Sequence, residues 1–393
     1  MAVADLDLRA APAPSLTAFA GYFLRLGTVG FGGPIALAGA MQRDLVEDRR
    51  WVTKDEYVKG LALAQLAPGP LAAQLAIYLG WAKGGIFGAT LVAIAFVLPS
   101  FLMVIGISVA YVRFGGLAWM QAAFYGIGAA VIAIILRSAY KLVRLTLGRE
   151  RLLWAIFLAN AISTAVLEAE VISLILGCGV ATLLVQVGKR RGTAALSIAP
   201  PLALVLSSGT AAVSAGTGAA TSGSLFWFFV KAGAFVFGSG LAIVPFLYSG
   251  VVREHHWLTD QQFLDAVAVA MITPGPVVIT VAFIGYLVHG FGGAVLAALG
   301  VFLPCYLFVV IPAPFYARFA DNPRLKAFVD GVTAAATGAI AGAVYVLARR
   351  AIIDVPTILI FAGTLACLVW LRRVPEPVVI AIVGIACVLF RAG

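Results

Sequence analysis

Charge is what this chain has least of. Only 11% of its 393 residues are Asp, Glu, Lys or Arg, against about 25% in a soluble domain. With 62% hydrophobic residues and a mean hydropathy of +1.05, that scarcity excludes an ordinary soluble domain. Histidine is scarce as well, with three residues, and no acidic cluster interrupts the apolar runs. A membrane-embedded enzyme would need carboxylates for a metal, or a nucleophile with its His base, and the apolar runs offer neither. The four cysteines, Cys178, Cys305, Cys367 and Cys387, lie in apolar runs without CxxC spacing. That excludes a zinc or disulfide framework in favour of small-hydrophobe packing. The first apolar segment has only Arg9 before it and Arg25 within it, which does not read as a cleaved signal peptide.

What the chain has is a text written twice. Residues 22–105 nearly repeat in 228–311. Phe31-Gly32-Gly33-Pro34 answers to Phe237-Gly238-Ser239-Gly240, Trp51-Val52-Thr53 to Trp257-Leu258-Thr259, Pro68-Gly69-Pro70 to Pro274-Gly275-Pro276, and Leu98-Pro99 to Leu303-Pro304. Trp257 minus Trp51 and Pro274 minus Pro68 both give 206; one deletion near Gly80/Gly285 lowers the offset to 205. Duplicated membrane segments carrying Pro/Gly breaks are the mark of a secondary transporter.

Six apolar segments per half are expected, at 16–38, 58–80, 84–112, 117–137, 152–167 and 170–188, then at 226–250, 264–286, 290–315, 328–347, 356–371 and 377–391. Their continuity, without period-two alternation, predicts helices rather than barrel strands. The expected fold is an all-α polytopic membrane protein of two homologous halves with Pro/Gly-broken or re-entrant helices. Residues 16–191 form the N-terminal repeat, 192–224 a linker, and 225–393 the C-terminal repeat. The linker is rich in Ala, Ser, Thr and Gly, and its 194–207 stretch is either interfacial or spanning. The stretches 41–58 and 247–263 alternate charge with Trp and Leu, as membrane-surface helices do.

The excess of 27 Lys+Arg over 17 Asp+Glu does not call for nucleic acid, because basic residues collect in the cytoplasmic loops of polytopic proteins. In the first half they crowd 43–59 and 137–151. In the second half they move to the alternate turns, at Arg318, Arg324 and Lys326 and at Arg372 and Arg373. The flip predicts halves inserted upside down relative to each other, with Arg349 and Arg350 as the exception. Three apolar segments between two loops on one side then require one segment to enter and return. Pro68-Gly69-Pro70 can make that reversal, or can simply kink a spanning helix.

A proline at the start of a helix leaves the amides of its first turn free, and that end suits an anion. The breaks predict such ends after Pro70 (Leu71, Ala72, Ala73) and Pro276 (Val277, Val278, Ile279). The breaks at Gly32-Gly33 and Gly238-Ser239 add a second pair. Gln65 and Gln74 in one half, and Thr273 and Thr280 in the other, could add hydrogen bonds, or could bond neighbouring helices. Arg25 and Lys231 are matched at an offset of 206, each inside the first segment of its half. A cation at bilayer depth costs at least ~2.5–3.5 kcal/mol and is a functional candidate, with snorkelling to headgroups as the alternative. Together these residues predict an electropositive, pseudo-symmetric site for a small dianion. Asp265, Asp330, Glu168 and Glu170 could relay a proton, but read more economically as solvated helix ends. His255 and His256 beside Trp257 read as an interfacial belt, not a metal site.

The strings FGGPIALAGAMQRDLVEDRRW, LAQLAPGP and FVLPS, with FGSGLAIVPFL, WLTDQQFLDAVAVAMITPGP, FIGYLVHG and FLPCY in the second half, resemble the chromate ion transporter family over most of 16–350. The resemblance implies a bacterial inner-membrane protein that moves chromate outward, with sulfate as the related anion. Where the family's first motif reads Ser-Phe-Gly-Gly-Pro followed by a His, this chain has Gly30 and Leu37. Ser239 stands where Gly is usual, and Met271 where a Gln often precedes Thr-Pro-Gly-Pro. Those departures remove polar groups beside the implied path. The expected partners are a small inorganic oxyanion and the lipid bilayer, with a homodimer left open; no cofactor and no metal are expected. An anion channel of the same architecture is the alternative. A dianion gains about 4.6 kcal/mol leaving a cell held at 100 mV negative inside, so efflux needs no coupling residue.

Overall fold

The computed structural model describes residues 14–31, 33–115, 117–168, 171–190, 221–235, 240, 243–316, 322–370 and 374–391. Gly32, Gly238, Ser239 and most of the expected linker, including 194–207, lie outside the described residues. Every regular element among the described residues is helical.

The first half comprises α1 (Leu16–Val29), α2 (Gly33–Met41, continued by a π-helical turn Gln42–Asp48), α3 (Lys54–Leu66), α4 (Leu71–Phe114), α5 (Ala118–Thr146), α6 (Arg151–Leu167) and α7 (Ile172–Arg190). The second half comprises α8 (Ser222–Ala234), α9 (Ile243–Leu247, continued by a π-helical turn Tyr248–Glu254), α10 (Asp260–Ile272) and α11 (Thr280–Val310, entered by a 3-10 turn Val277–Ile279). It ends with α12 (Pro323–Ala351), α13 (Val355–Trp370) and α14 (Glu376–Arg391). Ser222 to Ser224, placed in the linker by composition, already belong to α8, whose first turn is capped by Thr221. Among the described residues, four helical stretches, Leu71–Phe114, Ala118–Thr146, Val277–Phe315 and Pro323–Ala351, are long and apolar enough to cross a membrane.

The apolar segment 58–80 is a hairpin rather than one crossing. α3 ends at Leu66, Pro68-Gly69-Pro70 turns the chain, and α4 starts back at Leu71. Gly60 on the descending arm meets Tyr78 on the returning one, each nine residues from Gly69, and Leu75 beside it. Each 13-residue arm is about 20 Å long, against about 30 Å for the hydrocarbon core, so neither crosses alone. α4 then reverses at Gly84-Gly85, where Gly85 has φ +58°, and Gly80 and Gly88 touch backbone to backbone across the turn. From residue 86 it runs about 43 Å to Phe114, enough for a full crossing. α11 repeats the device at His289-Gly290 (φ +61°), with Gly285 against Gly293.

α1 and α2 form a second hairpin around Gly30–Gly33, tied near its base by Tyr22 Oη donating to Asp44 Oδ2 at 3.2 Å. The sequence codes its base twice. Both π-helical turns are followed by a residue in the left-handed region, Arg50 (φ 54°) and His256 (φ 52°). A Trp and a capping box follow, Thr53 with Glu56 and Thr259 with Gln262. The Arg49 guanidinium lies over Trp51 at 4.7 Å, and at the matched place His255 stacks on Trp257 at 4.5 Å. These residues fix where each hairpin starts.

The halves interlock. Thr90 Oγ1, near the start of the long arm of α4, is 2.7 Å from Tyr306 Oη near the end of α11. Phe101 packs on Phe291 near the start of the long arm of α11. The two matched helices therefore run antiparallel. The core around the first-half hairpins takes in Cys305, Val309 and Tyr316 from the second half, while the core around the second-half hairpins takes in Val104 and residues of α5.

Candidate functional site: the helix breaks between the halves

The hairpin tips meet across the boundary between the halves. The Gly275 N–H donates to the Gly30 carbonyl at 2.9 Å, joining the second-half Pro-Gly-Pro turn to the end of α1. Gly240, in the other break of the second half, packs against Val277 and Val278 just beyond Pro276. Three of the four breaks thus converge. For the fourth, Gly69 has its Cα face toward Cys305 of α11.

Two residues outside the breaks hold this arrangement, and they are a matched pair: Cys305 minus Ser100 gives 205. Each directly follows the helix-interior proline, Pro99 or Pro304. A Cβ placed on Gly275 would lie 2.0 Å from Ser100 Oγ, and one on Gly69 would lie 3.2 Å from Cys305 Sγ. The long helix of each half therefore braces the Pro-Gly-Pro turn of the other. Gly69 (φ +139°) and Gly275 (φ +100°) adopt backbone that L side chains rarely enter, so conformation and close approach both call for glycine. FVLPS and FLPCY carry this pair in the sequence, and its partners lie more than 170 residues away.

The polar side chains beside the turns are committed to backbone. Gln74 is fully buried, and its Nε2 donates to the Pro68 carbonyl at 2.6 Å, which fixes the turn; its Oε1 has no hydrogen-bond partner among the described residues. Thr273 Oγ donates to Val269 O at 2.6 Å, and Thr280 Oγ to Ala266 O at 2.8 Å, the latter tying the two arms of the second hairpin. Gln65 is exposed, one residue before the end of α3.

The two Pro-Gly-Pro ends are not equivalent. After Pro70 an α-helix begins directly, leaving the amides of Leu71, Ala72 and Ala73 without intrahelical acceptors. After Pro276 the chain makes a 3-10 turn in which the Ile279 N–H donates to the Pro276 carbonyl at 2.9 Å. Ile279 therefore drops out of the expected donor set. The α2 end has Gly33 at φ +74° with Pro34 in its first turn.

Arg25 and Lys231 are both exposed, on α1 and α8, and neither has a hydrogen bond or ion pair with a described residue. No described contact joins them. Asp265, expected as a solvated helix end, is instead buried at 3% exposure. It lies in the second turn of α10, which packs against α4 and α5, and Tyr111 of α4 bonds to it. Glu168 is part of a cross-half network rather than a free turn residue. It accepts from Arg253 and, at 2.9 Å, from Arg350, whose other nitrogen donates to Asp260. Among the described residues no His, Cys, Asp and Glu group could hold a metal ion.

The chromate transporter family model matches residues 17–183 and 223–389, one match per repeat. The chain is 56% identical to the chromate transport protein of Cupriavidus metallidurans, over 95% of this chain and 93% of that protein. It is equally similar to the probable chromate transport protein of Synechococcus elongatus, with 98% of each chain covered. It is 34% identical to the chromate transport protein of Pseudomonas aeruginosa over 97% of this chain and 94% of that one. No solved structure matches. A multi-pass helical membrane protein built from two repeats, this chain belongs to the chromate transporter family.

Proposed function

We propose that this chain exports chromate across the bacterial inner membrane, with sulfate as the related anion, by alternating access between two inverted repeats at 16–191 and 225–393. The observation that carries the substrate is the 56% identity, over nearly the full length, to relatives named for chromate transport. Inversion is supported by the antiparallel packing of the matched long helices. The positive-inside rule then puts the basic loops 43–59 and 137–151 in the cytoplasm. Arg350, which runs against that orientation, has its charge offset by Glu168 and Asp260.

The anion path runs through the hairpin tips. Helix N-termini after Pro70, Pro276 and Gly33 supply backbone donors and partial positive charge. Pro68, Gly69, Pro274 and Gly275, with Gly32, Gly238 and Ser239 in the outer breaks, shape those ends. Gln74 and Thr280 hold the turns; Gln65 and Thr273 flank them. Arg25 and Lys231 lie about a turn and a half before their breaks and draw the dianion in. Rocking one half against the other would break and remake the Gly275–Gly30 bond, so the tips are gate as well as site.

The test is chromate flux in proteoliposomes under an imposed potential, with sulfate as competitor. Saturable, potential-dependent flux supports an electrogenic oxyanion carrier. Flux of other anions without chromate would move the substrate and leave the architecture.

A further inference from the structure

Asp265 is a buried charge that the anion path does not use. It sits on α10, the arm leading to Pro274-Gly275-Pro276, and is 3% exposed. Tyr111 Oη, from the far end of the long arm of α4 in the other half, donates to its Oδ2 at 2.7 Å. Gln261 Nε2 donates to its Oδ1 at 2.8 Å. No described Lys or Arg comes within salt-bridge distance. Beside it opens a cavity of about 550 Å³, lined by Tyr111, Gln121, Tyr125 and Gln261 among others. Gln121 and Gln261 are themselves exposed, so the cavity reaches the surface.

Of the charged groups on the helices packed against it, Arg113, two residues beyond Tyr111 on α4, is exposed and lies over the Phe114 ring at 5.8 Å; the groups that follow are paired with one another. From α5, Tyr125 donates to Asp354 at the start of α13, and Arg137 further along pairs with Glu376 of α14 at 4.0 Å. From α12, Arg350 is held by Glu168 and Asp260. From the turn before α10, Tyr248 donates to Asp260 Oδ1 at 2.7 Å. α11 contributes only His289, which contacts Ser222.

A buried carboxylate with two neutral donors and no counter-ion is costly as an anion, and a cation relieves that cost. A hard metal ion would need about six oxygen ligands, whereas Tyr111 and Gln261 both present hydrogens to the carboxylate. A proton fits.

We propose that Asp265 binds a proton during the transport cycle, exchanged with solution through this cavity, and that its protonation loosens the Tyr111 tie between the halves. The donor bond is charge-assisted while Asp265 is ionised and ordinary once it is protonated. Because α10 carries the gate-forming turn, the proton would bias which way the tips open. That last step rests on the transporter reading; the proton site does not.

The experiment is an infrared pH titration of the purified full-length protein without substrate, comparing wild type, Asp265→Asn and Tyr111→Phe. A carboxyl component that appears in wild type as pH falls through the neutral to mildly acidic range should be lost in Asp265→Asn. In Tyr111→Phe it should persist with its midpoint at higher pH, because a donor favouring the charged form is gone. Replacing Na⁺ by choline should leave it unchanged. If Asp265→Asn does not fold, the Tyr111→Phe shift alone decides. An unshifted titration, or a signal that depends on Na⁺, overturns the proposal. In proteoliposomes at fixed potential, severalfold pH dependence of flux should flatten in Asp265→Asn. Absence of chromate flux in every protein would count against the substrate and leave the infrared result standing.

Discussion

Gly275→Ala puts the interlocked tips to a quantitative test. The residue has φ +100°, and holding an L side chain in so sparsely populated a region costs about 1–3 kcal/mol. The new methyl would also lie 2.0 Å from Ser100 Oγ and 3.1 Å from Ser100 Cβ, so the turn must move. Moving it endangers the Gly275–Gly30 bond, worth about 0.5–1.5 kcal/mol. The two causes separate in a double-mutant cycle. Ser100→Ala removes Oγ but not the backbone penalty, so the double variant should recover part of the loss, with a coupling of roughly 0.5–3 kcal/mol. Stability would be read by reversible unfolding in detergent, and function by chromate flux in proteoliposomes. Gly69→Ala provides the contrast. Its methyl meets the flexible end of Gln74 at 2.5 Å and Cys305 Sγ at 3.2 Å, so Gln74→Ala should relieve more of its clash than Cys305→Ala. Unchanged stability in Gly275→Ala, or no coupling to Ser100, would refute the tip packing.

Arg25→Ala and Lys231→Ala should each weaken oxyanion affinity roughly tenfold or more, the scale of a lost hydrogen bond to a charged group; folded variants with unchanged KM would remove the cations from the path. Arg350→Ala breaks contacts to Glu168 and Asp260 at partly exposed side chains, so the loss should be small, about 0.2–1 kcal/mol per pair, and should shrink with added salt. A salt-independent loss of several kcal/mol in unfolding would contradict that.

Both Pro-Gly-Pro breaks were legible in the duplication, because matched Pro-Gly-Pro tracts are local features. At Pro68-Gly69-Pro70 the sequence left a hairpin and a simple kink both open, and the chain makes the hairpin. The bracing of each turn by the other half was not legible. Ser100 and Cys305 look like ordinary helix residues, and only the tertiary fold brings them to turns more than 170 residues distant. Asp265 misled for a related reason. Its place near the start of an apolar run suggests a solvated end, but it lies one turn into the helix, on a face that Tyr111 of the other half covers. The pairing of Arg350 with Glu168 and Asp260 was likewise out of reach of the sequence, because Glu168 comes from the other half.

The central claim is that an anion path open to alternate sides runs through the hairpin tips. It is tested most directly at Gln65, exposed beside the Pro68-Gly69-Pro70 turn. In a chain with its four cysteines replaced (Ser at 305, as at the matched Ser100), Gln65→Cys would be treated with a membrane-impermeant thiol reagent from each face of the vesicle. The account predicts labelling from both faces and protection by chromate. Labelling from neither face, or labelling that chromate leaves unchanged, would contradict it.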